Sequence, residues 1–175
     1  MVPMKTQHIN AIKGKFMTHM LHSAYFFPHT VDVKWSATTQ NKPDLPFWLH
    51  LYPSKHKAIA YLIGTPVTPA HQVTIHVIAR RTDTFAMGEQ FLTIALQEDD
   101  KYNTSTQQTV EFILLNHDPE SLLSDRTGKM GRLENVVRET FRGKSVNPYI
   151  FNLVPEIQTE NQNNLQNYFK NHKFG

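Results

Sequence analysis

The sequence predicts a mainly β protein, a β-sandwich over residues 1–97 followed by a small α/β domain of β-α-β order over residues 109–175. Three observations predict it. Before residue 97, short alternating or wholly apolar runs recur between clusters of turn-forming residues, the pattern of strands that bury one face or both. The stretch QEDDKYNTSTQQ then carries no aliphatic residue, so residues 98–108 are expected to form a polar linker. Beyond it, apolar residues recur at helical spacing between two runs of strand character.

The elements follow in order. FMTHML (16–21) is expected as the first strand. VDVKWSA (31–37) alternates, with Val31, Val33, Trp35 and Ala37 on one face. In KPDLPFWL (42–49), Pro43 and Pro46 each lack a backbone N–H and push the preceding residue toward extended geometry. That makes a rigid extended piece able to deliver Leu45, Trp48 and Leu49 to a core. AIAYLIG (58–64) is a short apolar strand ended by Gly64, Thr65 and Pro66. VTIHVIA (73–79) places Val73, Ile75, Val77 and Ala79 together, and FLTIAL (91–96) is apolar on both sides. After the linker, VEFILL (110–115) reads as a strand. Asp118 then suits an N-cap, Pro119 the first helical position and Glu120 the positive end of the helix dipole. Leu122, Leu123, Met130, Leu133, Val136, Val137 and Phe141 continue the helical spacing, with Gly128 and Gly131 expected to break it in two and Gly143 to end it. PYIFNLV (148–154) reads as a strand and NNLQNYF (163–169) as a short helix.

Composition narrows the function. With 39% hydrophobic and 19% charged residues, the chain folds rather than staying disordered. Its formal charge is only +3, and its basic residues are scattered, with no concentrated face of the kind nucleic acid requires. The absence of Cys excludes a disulfide framework and a Cys-based zinc site. No run approaches the ~20 apolar residues of a bilayer span, and the N-terminal stretch has no apolar secretion core, so the chain as it stands is expected to carry neither anchor nor leader.

Ten histidines are the obvious candidates for chemistry. His19 and His22 are three apart and His71 and His76 five apart, which in strands puts each pair on opposite faces. Packed or surface histidines explain them better than a zinc hydrolase does. His117 and Asp118 read as a helix cap rather than half a dyad, and the nucleophile-elbow and phosphate-loop motifs are missing. No catalytic, cofactor-binding or metal site is expected. Asn103 opens an N-x-[ST] acceptor for glycosylation inside the polar linker.

Leu45, Pro46, Trp48 and Leu49, followed by Gly64, Thr65 and Pro66 and then by VTIHVIA and FLTIAL, resemble the dystroglycan-type cadherin-like (Ig-like) domain. Further runs narrow the resemblance to the N-terminal ectodomain of alpha and epsilon sarcoglycans. These are KFMTHML at 15–21, Pro43 and Asp44 ahead of Leu45, Ala79 through Phe85, and Glu111, Phe112 and Ile113. The likeness covers roughly residues 14 to 125, and Asn147 to Pro155 more loosely. It implies a non-catalytic extracellular module at the sarcolemma, within the dystrophin-associated glycoprotein complex that links cytoskeleton to extracellular matrix. It also implies other sarcoglycans or dystroglycan-type membrane proteins as partners. In the family the LPxWL segment enters the core, which makes Trp48 a structural anchor. The main alternative is a soluble secreted cadherin-like module that binds a ligand or carbohydrate. Calcium, which such junctions often hold, finds Arg80 and Arg81 where acidic residues are expected. Asp83, Glu98, Asp99 and Asp100 are the remaining oxygen donors, and solvated loops account for them better.

Overall fold

The computed structural model of the protein describes residues 5–98, 108–115, 117–124 and 126–155. Seven strands among them form two sheets packed face to face. Sheet A takes β1 (Lys5–Ile12), β7 (Met87–Gln97), β6 (Gln72–Arg81) and β3 (Val33–Thr39) in that spatial order. Sheet B takes β2 (Met17–His22), β5 (Ile59–Gly64) and β4 (Leu49–Pro53). Every neighbouring pair is antiparallel except β1 with β7, which run parallel. The chain changes sheet between β1 and β2, between β2 and β3, between β3 and β4, and between β5 and β6, so each sheet is assembled from segments distant in sequence.

Alternation decides which side chains meet. Ile75, Val77 and Ala79 of β6 and Leu92, Ile94 and Leu96 of β7 point inward, against Leu21, Ala60, Leu62, Trp48 and Leu49 from the other sheet. Trp48 is only 2% exposed. The Leu49 N–H donates to the Pro46 carbonyl at 2.9 Å, turning the chain into β4, and Leu45 packs beside the same core. Leu49 lies in register with Gly64. Gly64 has φ +152°, and a Cβ there would stand 1.8 Å from the Trp48 carbonyl oxygen. The two halves of the LPxWL and GTP pattern therefore touch, and glycine is required at their contact. Thr65 and Pro66 are buried behind it; the Pro66 carbonyl accepts from the Gly14 N–H at 3.0 Å.

The residues after the linker cover the outer face of sheet B. Two helices carry much of this layer, α1 (Pro119–Leu123) and α2 (Lys129–Thr140). Leu123 joins Tyr52, Tyr61 and Ile63 in a second buried cluster, flanked by Phe16, Ile59 and Leu153. Glu120 accepts from the Ser54 hydroxyl and the Lys55 N–H, and Lys55 pairs with Asp118 at 3.2 Å. From α2, the buried Glu134 accepts from the Phe16 N–H at 3.0 Å and holds Arg138, which donates to the Gly14 carbonyl at 3.0 Å. The Thr65 hydroxyl donates to the Ile150 carbonyl at 2.6 Å. This coverage explains why β5 is apolar on both faces: the sandwich core takes one and the added layer the other.

Several expectations are corrected. FMTHML lies on the second strand; the first is KTQHINAI, whose polar residues hid it. VEFILL forms no strand, and Val110, Phe112, Ile113 and Leu115 are exposed, because no described segment lies alongside to complete a ladder. PYIFNLV is likewise irregular: it uses its side chains and the Ile150 carbonyl against sheet B in place of strand pairing. No β-α-β unit therefore forms among the described residues. The helical stretch breaks at Gly128, where φ is +80°, but Gly131 sits inside α2. Asp118 is the N-cap residue of α1, yet its side chain makes no capping bond. NNLQNYF and Asn103 lie outside the described residues.

Two outcomes check this packing in denaturant titrations. Trp48→Ala is expected to destabilise the fold by about 3–5 kcal/mol, the range for deleting a large buried aromatic. Glu134→Ala, which strands the Phe16 N–H beneath α2, is expected to cost about 1–3 kcal/mol.

Candidate interaction face

Among the described residues, none covers the outer face of sheet A as the helices cover that of sheet B, and the candidate partner-facing residues lie there. Register places them in rows across β3, β6 and β7. Lys34, Arg80 and Met87 form the first row, Ser36, Ile78 and Glu89 the second, and Thr38, His76 and Phe91 the third, which Thr6 of β1 extends. The fourth joins Thr74 and Thr93, whose hydroxyls lie 3.3 Å apart, to His8. The His76 ring packs on Phe91 with centroids 4.9 Å apart, and its Nε2 meets Glu89 at 3.0 Å. Polar and apolar groups are interleaved on this face.

At one end of this face the β6–β7 hairpin projects. The Arg81 guanidinium grips Asp83 with two bonds of 2.8 and 2.6 Å, and this hydrogen bonding holds the Asp83 carboxyl far below the usual carboxylate range. Phe85 follows at φ +58°, a conformation uncommon for a bulky side chain, and is 63% exposed. Arg80 stacks over its ring at 5.0 Å.

The structure separates the other singled-out residues. Trp48, Leu49, Gly64 and Pro66 are buried together with Leu45 packed against them, and half-buried Pro46 turns the chain into β4, all away from this face. His19 and His22 point to opposite sides of β2; His22 accepts from the Ala24 N–H at 3.1 Å. His71 pairs with Glu98, which also meets the buried Lys13 at 3.1 Å. These contacts, Lys13 first, hold the Glu98 carboxyl low. Asp83 and Glu98 are thus each neutralised by a cation, leaving little oxygen charge for a hard ion; Asp99 and Asp100 lie outside the described residues. Sequence reasoning missed the burial of Lys13 and Glu134 and the opposition of Lys34 to Arg80. The last is readable only once the β3–β6 register is known.

No family model matches the chain. It is 29% identical to the alpha-sarcoglycan of Oryctolagus cuniculus over 119 residues, which span 63% of this chain and 30% of that protein. The relationship is sarcoglycan-like. The chain therefore corresponds to less than a third of that relative's length. Among solved structures, the titin M3 domain aligns over 54% of the chain and 92% of its own, with TM-score 0.38 and 8% identity. An endo-fucoidan hydrolase of glycoside hydrolase family 107 aligns over 59% and 17%, with TM-score 0.37 and 17% identity. No helix among the described residues is long and apolar enough to cross a membrane.

His19 and His50 predict a pH response. Burial pushes the His19 and His50 imidazoles below their ordinary 6.5, with a hydrogen bond to the Phe151 backbone partly offsetting the shift at His50. The unfolded chain therefore takes up these protons first. Their contribution is complete above pH 6.5 and fades as pH falls through that value toward the lowered native ones. Urea midpoints measured downward from about pH 8 are expected to drop below this point, and the drop should shrink in a His19→Gln, His50→Gln double variant.

Proposed function

We propose that the chain is a non-catalytic adhesion and complex-assembly module of sarcoglycan type, working on the extracellular face of the plasma membrane. The observation that carries this is the sequence likeness to alpha-sarcoglycan over 119 residues. The contact of Trp48 with Gly64 supports it, because it gives a packing role to the residues on which the resemblance to the sarcoglycan ectodomain rests. The strand order, with β2, β5 and β4 in one sheet and β3, β6 and β7 in the other, agrees with an immunoglobulin-like or cadherin-like sandwich. Its role is to hold a face rigidly toward other sarcoglycans or dystroglycan-type proteins, within an assembly such as the dystrophin-associated complex. Catalysis forms no part of this reading.

Co-expression of this chain in a secretory pathway with the other sarcoglycans tests it. The expected result is that it co-purifies with them at a defined stoichiometry. Secretion as a free monomer that binds glycans and recovers no sarcoglycan would replace the reading with a soluble ligand-binding module.

A further inference from the structure

The end of sheet A that carries the hairpin holds an unresolved electrostatic conflict. Lys34 and Arg80 are register partners on adjacent strands, both exposed and both on the outer face. Such directly opposed side chains lie about 5 Å apart at Cβ, and like charges there destabilise a sheet. Among the described residues, no ion pair joins either one to a carboxylate. Of the nearby acids, Asp83 is engaged by Arg81 and Glu89, on the adjoining row, by His76, while Asp32, two residues before Lys34, is exposed and pairs with neither cation. Beside this pair stand two large apolar groups facing water, Phe85 at 63% exposure and Met87 at 62%. Phe85 also sits in the left-handed region, where an aromatic residue persists only against a local cost.

We propose that Lys34, Arg80, Phe85 and Met87 form the docking site for an acidic, aromatic-containing segment of a partner protein. This rests on the reading of the chain as a binding module and names the chemistry of what it binds. A carboxylate placed between Lys34 and Arg80 converts their repulsion into two attractions. Phe85 and Met87 then bury a neighbouring apolar side chain, and Arg80, already stacked on Phe85, is oriented to present its fork. Arg, Phe and Met are the residue types enriched where protein partners meet. A sulfated polysaccharide fits less well, since only two cations stand opposed here and the apolar groups would gain nothing from it.

Backbone amide NMR of the full 175-residue chain, titrated with a capped hexapeptide in which two glutamates flank a phenylalanine, tests this directly. Shifts are expected to centre on β3, β6 and the hairpin, to weaken with added salt, and to vanish for the glutamine analogue. Arg80→Glu is expected to weaken binding at least about tenfold. Phe85→Gly should lose binding while keeping or raising the melting temperature, because glycine takes φ > 0 without strain. The proposal is overturned if peptide binding survives both substitutions, if shifts map elsewhere or are absent, if a heparin oligosaccharide binds this site and the peptide does not, or if Phe85→Gly lowers the melting temperature. Loss of peptide binding alongside intact co-purification with sarcoglycans would remove this proposal and leave the assembly reading standing.

Discussion

The closest constraint in this fold is the approach of Gly64 to the backbone of Trp48. A carbonyl oxygen sits where any Cβ at residue 64 would have to be, so the end of β5 and the start of β4 fit together only with glycine. That contact sets the register of β4 on β5, and register decides which side chains face inward. Trp48 then reaches the space between the sheets, and Leu45 and Leu49 close around it. Thr65 and Pro66, next in sequence, carry the same strand end to Ile150 and Gly14. Core and covering layer therefore converge on one short stretch of β5.

The two sheets are treated differently. Sheet B is enclosed: its outer face holds Tyr52, Tyr61 and Ile63 under Leu123 and Leu153, and charged bonds from Glu120 and Glu134 fix the layer above it. Sheet A keeps an outer face that no other described residues cover, on which polar groups sit beside Ile78, Phe91 and Met87. One face is thus invested in stability, and the proposed assembly role uses the other. Here β5, apolar throughout, and β6, alternating, are the sequence expression of that division.

Much of this was legible beforehand. The strands at 31–37, 58–64, 73–79 and 91–96 stood out because alternation or continuous apolarity survives any tertiary context, and the prolines around Trp48 announced an extended entry into a core. The strand 5–12 was not legible, since its core contacts are Ile9 and Ala11 among polar neighbours and its ladder is a parallel pairing with β7, in which Lys5 meets Gln90 far along the chain. VEFILL misled for the opposite reason: strand propensity is present without a neighbour to pair with. The open face was the least visible feature. Lys34 and Arg80 look like ordinary surface cations until the ladder sets them side by side.

The most direct test of the account is Gly64→Ala, followed by near-ultraviolet circular dichroism of the buried tryptophan and by thermal unfolding. A methyl group directed at the Trp48 carbonyl should separate β4 from β5, abolish the tryptophan signal and replace the cooperative transition with a broad one. A Gly64→Ala chain that kept its tryptophan signal and melted within about 2 °C of the native protein, a negligible change for a domain of this size, would contradict the claim that this contact organises the fold.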